Sequence, residues 1–105
     1  MRVVAVGAAL AVLVAGGAGR AEEAFTPQQV DLGRVLYARN CSPCHGPRMQ
    51  DPESAFDLRK FPHDERARFT AAVTRGKNQM PPWGDFFTSE EITALWAYVT
   101  AGEKN

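Results

Sequence analysis

The segment Cys41-Ser42-Pro43-Cys44-His45 sets two thiols and an imidazole side by side. On one helical turn, two cysteines separated by two residues point to the same side. Thiols placed that way can add to the two vinyl groups of a haem, the arrangement of c-type attachment. The imidazole directly after the second thiol is then held against the iron as its proximal ligand. A porphyrin is rigid, so once both thioethers form, the position of His45 relative to the iron is nearly fixed. The chain has 2 cysteines, so no other thiol competes for this chemistry. The spacing predicts one haem c per chain, covalent through Cys41 and Cys44, with His45 on the iron.

Two other chemistries use the same residues. A thioredoxin-like redox pair needs a βαβ frame, and the chain has no alternating or β-branched run long enough for a central strand. A structural zinc site needs four ligands. The only other histidine is His63, and His45 would have to share a metal with its own neighbour Cys44.

A low-spin electron-transfer haem takes a sixth ligand from the opposite face, and a thioether there raises the potential. The candidates are Met49, Met80 and His63. Met49 follows His45 by a single helical turn, too close to cross the haem plane, and reads as an exposed or packing side chain. Met80 is far enough along for a loop and a helix to wrap the ring. It lies in Gly76-Lys77-Asn78-Gln79-Met80-Pro81-Pro82-Trp83, where two prolines stiffen the backbone just beyond the sulfur. His63, between Pro62 and Asp64, reads as a surface residue at a helix start, with a bis-histidine haem as the lesser alternative. Met80 is the expected distal ligand.

Helices must carry these groups. Thr26-Pro27-Gln28-Gln29 is a capping-box start with proline at the first helical position, predicting a helix to about Arg39. One of its stripes carries Val30, Gly33 and Tyr37 and leads on to Cys41. Gly33 should cost about 1 kcal/mol against alanine there, which asks for a packing reason. A second helix is expected over Asp64 to Arg75, burying Phe69, Ala72 and Val73 and stopping at Gly76. The third is the clearest. Thr88-Ser89-Glu90-Glu91 is another capping box, with carboxylates at the positive end of the helix dipole. Ile92, Leu95, Trp96 and Val99 follow as a single apolar stripe, and Gly102 ends it. Trp83, Trp96 and Tyr98 are expected to be core filler. Gly46 to Pro62 is irregular.

Arg2 followed by the apolar run Val3 to Gly19 reads as an export signal, with Gly19 and Ala21 as the small residues before a cleavage point. This divides the chain into a signal peptide, 1–21, and a domain, 22–105. The rival reading is a retained membrane anchor, for which the apolar run is at the short edge. Thioether attachment takes place outside the cytoplasmic membrane, so signal and motif agree on a periplasmic protein. The full chain carries 12 basic and 12 acidic residues. Losing Arg2 and Arg20 leaves it mildly acidic, which excludes a basic nucleic-acid surface. A domain this small has a marginal core alone, and an enclosed haem would complete it.

From about Pro27 to Gly102 the chain resembles the small class I cytochrome c family. The resemblance rests on the attachment motif, the Met80-Pro81-Pro82 loop and the terminal helix, in that order. It implies an all-α fold in which three main helices wrap one covalently attached haem, with the first and last helices crossing at a glycine such as Gly33. It also implies that a backbone carbonyl of the 46–62 loop meets the ring N–H of the proximal histidine. Gly76 to Asp85 with Ile92 to Val99 looks most like small periplasmic cytochromes that serve quinoprotein alcohol dehydrogenases. That likeness implies a monomeric electron carrier rather than an enzyme, with a periplasmic quinoprotein dehydrogenase as donor and a terminal oxidase as acceptor. The alternatives are a permanently bound or anchored haem subunit of a larger oxidoreductase, and a small haem enzyme or sensor with a displaceable methionine.

Overall fold

The computed structural model describes residues 24–50, 52 and 55–103. The signal segment lies outside these residues. Helix α1 spans Pro27–Asn40 and starts as its capping box dictates. The Thr26 hydroxyl accepts from the Gln29 N–H (3.1 Å), and the Gln29 side chain accepts in return from the Thr26 N–H (2.9 Å). After Cys41 a single turn, α2, spans Ser42–His45. Short 3-10 turns follow at Pro47–Met49 and Leu58–Lys60. Helix α3 spans Arg66–Arg75 and α4 spans Ser89–Ala101, the latter opened by the reciprocal Thr88–Glu91 cap. No strand occurs among the described residues, where an isolated β-bridge joins Lys77 and Met80.

The core is built on α4. Ile92, Ala94, Leu95, Trp96, Ala97, Tyr98 and Val99 are all buried, so this helix is covered on more sides than its single apolar stripe implies. Helix α1 crosses it at Gly33. A Cβ there would lie 2.0 Å from the Ala94 carbonyl oxygen and 2.8 Å from the Tyr98 Cβ. This backbone-to-helix approach is the packing reason for glycine inside α1, and any side chain would force the helices apart. From α1, Leu36 and Tyr37 join the core beside Gly33, while Val30 is half-buried. Leu36 lies off the stripe read from sequence.

On the other side, α3 sends Phe69 and Val73 inward, with Ala72 only half-buried. It begins at Arg66 rather than Asp64, because Pro62 to Glu65 are used in a turn before it. Phe61, Phe69 and Trp96 form a closed aromatic triangle with ring centroids 5.1 to 5.9 Å apart. Each such ring removed from water stabilises the fold by about 1.5–3 kcal/mol. Met49 is also core, 1% exposed, and it occupies a left-handed backbone position (φ 63°) next to Arg48 at φ 56°. Non-glycine residues there cost about 1–2 kcal/mol each, a strain offset at Met49 by burial of its side chain.

Candidate functional site

The site is assembled from three segments held to one core. The first is the Cys41–His45 turn. Ordinary helical hydrogen bonds from the Cys44 and His45 N–H groups to the Cys41 carbonyl (3.1 and 2.8 Å) wind it tightly. Both cysteines are free thiols; Cys44 is exposed and Cys41 is half-buried. Burial, reinforced by the neighbouring Cys44, pushes the Cys41 thiol up to about 11, so it is protonated at neutral pH in the folded chain. The turn ends at Gly46 (φ 89°), whose carbonyl accepts a 2.6 Å bond from the buried Tyr37 hydroxyl. Helix α1 thereby clamps the residue next to His45.

The second segment is the 46–62 loop. His45 Nδ1 lies 3.0 Å from the Phe56 carbonyl oxygen. A carbonyl only accepts, so this partner puts the proton on Nδ1 and leaves Nε2 as the nitrogen able to bind a metal. Such a bond orients an imidazole ligand and raises its basicity. Asp57, next in the chain, caps the Leu58–Lys60 turn by accepting from the Arg59 N–H, and its two oxygens meet the Arg59 guanidinium in a fork, at 3.0 Å each. The Arg59 hydrogen bonds hold the Asp57 carboxyl below the usual carboxylate range.

The third is the loop of Met80. Lys77 and Met80 exchange backbone hydrogen bonds (3.0 and 2.9 Å) across a tight turn, with Asn78 left-handed at φ 56°. Asparagine is among the few side chains that tolerate this backbone. Gly76 opens the turn at φ 81°, and a Cβ on it would meet the Met80 carbonyl oxygen at 2.7 Å and the Pro82 nitrogen at 2.9 Å. Beyond the prolines, the Trp83 and Gly84 N–H groups bond back to the Val73 and Thr74 carbonyls (2.8 and 3.1 Å). The loop is thus fastened to the last turn of α3. Cys41 and Met80 both pack, half-buried, against the same hydrophobic core. His63 is exposed and Met49 is enclosed in the core.

An all-α frame that gathers an attachment turn, a histidine held by a main-chain carbonyl and a fastened methionine loop is that of a class I cytochrome c. The chain belongs to the family described as cytochrome C oxidase, cbb3-type, subunit III, whose model matches residues 28–99. It is also similar to the quinohemoprotein alcohol dehydrogenase ADH IIB of Pseudomonas putida. The two are 32% identical over 80 residues, which is 73% of this chain but 12% of that protein. A c-type cytochrome domain implies covalently bound haem c and electron transfer.

The residues present fit that group. Two unpaired thiols share one turn, an imidazole with its proton fixed on Nδ1 follows, and a thioether packs on the same core. Among the described residues no three His, Cys, Asp or Glu side chains converge as a metal cluster, so the chemistry of the donor set suits thioether attachment better than zinc. The capped helices, the attachment turn and the methionine loop were legible in sequence. The Tyr37–Gly46 clamp and the identity of the Phe56 carbonyl were not. Tyr37 lay on the stripe that points to Cys41, the one signal that could have suggested the clamp.

Proposed function

We propose that this chain is an exported one-electron carrier, matured at residues 22–105 after removal of a signal peptide at 1–21. Cys41 and Cys44 would hold the haem as thioethers, His45 Nε2 would bind the iron from one side and Met80 Sδ from the other. When bound, the haem supplies a one-electron iron couple. The chain's own residues keep both sides rigid: the Phe56 carbonyl orients His45, the Tyr37 hydroxyl anchors the neighbouring Gly46, and the Lys77–Met80 turn fixes the thioether. Two filled axial positions leave no site for a substrate, which favours a carrier over an enzyme or sensor. The observation that carries this reading is the pairing of the Cys41–His45 turn with a main-chain-fastened Met80 on one core.

The likeness to a quinohemoprotein alcohol dehydrogenase supports a periplasmic quinoprotein dehydrogenase as electron donor, and a terminal oxidase as acceptor completes the reading. Among the described residues, no helix is long and apolar enough to cross a membrane. A second reading has a specific observation behind it. The family is named for an oxidase subunit, and the chain corresponds to 12% of its relative, so the domain could serve as the haem module of a larger assembly.

The deciding experiment is made on protein purified from the periplasm. Haem resistant to acid–acetone extraction, a mature N-terminus at Glu22 and no carbon monoxide adduct of the ferrous form are expected. Extractable haem ends the attachment reading, and ready carbon monoxide binding ends the carrier reading. Elution of the native extract at the size of a complex selects the subunit reading over the free carrier.

A further inference from the structure

The outer face of α3 and the turn that follows it carry a charge pattern that the haem site does not use. From Arg66 to Gly84 the chain has four cations, Arg66, Arg68, Arg75 and Lys77, and no carboxylate. Arg66 is drawn inward, donating to the Thr93 hydroxyl (2.9 Å), and Arg68 pairs with Glu65 (3.1 Å). Arg75 and Lys77 are exposed on either side of Gly76. Along the same helix a shallow, open groove runs between Arg66 and Arg75, where the small residues Ala67, Thr70, Ala71 and Thr74 leave the face of α3 low.

At its Thr74 end the groove reaches the methionine loop, because Thr74 is in contact distance of Gly84 and accepts its N–H. There the surface turns apolar. Pro81 and Pro82 are exposed, and Phe86 is 64% exposed although its ring packs on Trp83 and Phe87 at 5.4 and 5.0 Å. Along the sequence, carboxylates reappear at Asp85, next to Phe86, and then at Glu90 and Glu91.

We infer that the α3 groove, the Arg75–Lys77 pair and Phe86 together form the docking face for an acidic redox protein. The inference rests on the carrier reading above. Two exposed cations with no carboxylate along the helix attract an acidic surface and steer its approach. An aromatic ring backed by two others is a rigid anchor of the kind that carries binding energy at interfaces. The exposed Asp85 beside Phe86 ends the cationic stretch and, by repelling the same partner there, helps to fix which way round it sits. Reciprocal backbone bonds hold Lys77 against Met80, the candidate iron ligand, so one of the two steering cations lies beside the site a partner needs to approach for electron transfer.

The test follows oxidation of the reduced, haem-loaded protein by stopped flow. The oxidants are hexacyanoferrate(III), an anion, tris(phenanthroline)cobalt(III), a cation, and an acidic blue-copper protein. Arg75→Glu with Lys77→Glu should slow the anion and the acidic protein about tenfold at low ionic strength, with the cation unslowed and the difference vanishing in high salt. Arg39→Glu with Lys60→Glu makes the same change in net charge elsewhere and should have a much smaller effect. Phe86→Ser should slow the blue-copper protein alone. Equal slowing of both small ions, or an equal effect from the control pair, overturns the inference. So does a wild type that sediments with phosphatidylglycerol vesicles through Arg75 and Lys77 while the blue-copper rate ignores them, since the face is then a lipid surface. Failure here is separable from failure of the carrier reading, which shows instead as carbon monoxide binding by the wild type.

Discussion

His45 and Met80 are presented by opposite means. His45 is oriented through its side chain, by one hydrogen bond that its Nδ1–H donates to the carbonyl of Phe56 in an irregular loop. Met80 is oriented through its main chain, by a reciprocal pair with Lys77 and two further bonds that tie the loop to α3. The first arrangement tunes a ring and depends on a loop whose Phe56 is itself 53% exposed. The second places a sulfur through the backbone that carries it, with the side chain packed half-buried on the core. A weak iron–thioether bond would need that rigidity, whereas an imidazole bound next to a covalent anchor does not. The difference predicts that the methionine side is sensitive to backbone changes and the histidine side to changes in what surrounds the loop.

The largest effect should come from breaking the frame that carries both. Gly33→Val puts a branched side chain where even a Cβ would lie 2.0 Å from the Ala94 carbonyl oxygen. A loss of about 3 kcal/mol or more is expected in urea melts of the holoprotein, and a melt within 1 kcal/mol of wild type would show that the α1–α4 crossing can relax, about the limit for a tolerated swap. Next is Gly76→Ala, which should cost about 1–3 kcal/mol through its positive φ and the clash with Met80 and Pro82. It should also weaken the sulfur-to-iron charge-transfer band of the ferric form. Met80→Ala should abolish that band and open the ferrous form to carbon monoxide, while Met49→Ala lowers stability and leaves the band in place.

On the histidine side, Tyr37→Phe removes the bond to Gly46 and should cost about 1–2 kcal/mol. It also carries a pH signature. Burial pushes the Tyr37 phenol up to about 12, against about 10 in an unfolded chain. The folded state therefore binds that proton more tightly. Its contribution is whole below pH 10 and is lost as the pH climbs toward 12. Denaturant midpoints measured over that window should fall less steeply in Tyr37→Phe than in wild type. Tyr98, raised by burial and by its bond to Glu103, acts with the same sign in both proteins and sets the remaining slope. The smallest effect expected is from Phe56→Ala. The carbonyl that holds His45 stays, and only an edge-to-face contact with Phe61 at 6.1 Å is lost, about 0.5 kcal/mol. A large change in redox potential from this variant would show that the ring, not the carbonyl, positions His45.

What could be read from sequence follows the same division. Capping boxes at Thr26 and Thr88, the stop at Gly76, the stripe of α4 and the cysteine spacing are local patterns, set by residues within one or two turns. The close approach at Gly33 was legible only through the family resemblance. The left-handed pair Arg48 and Met49 gave no sign, because neither residue type favours that backbone and the compensation comes from burial far along the chain. Spacing leaves Met49 either exposed or packing, and in the fold it is fully packed. Leu36 lies on the flank of the face that carries Gly33 and Tyr37, and its burial depends on how α1 is rotated against α4, which local spacing does not set. The Phe56 carbonyl belongs to an irregular segment, and every residue has a carbonyl, so composition could not single it out.

The crossing at Gly33 also reaches the chemistry of a thiol. Helix α1 lies so close to the Ala94 carbonyl that no Cβ fits between them, and the same helix runs directly into Cys41, whose N–H bonds back to the Tyr37 carbonyl at 2.8 Å. Cys41 is half-buried against the core that this crossing closes, with its thiol pushed up to about 11 by that burial. Loosening the crossing would therefore uncover Cys41 and return its sulfur to ordinary thiol reactivity.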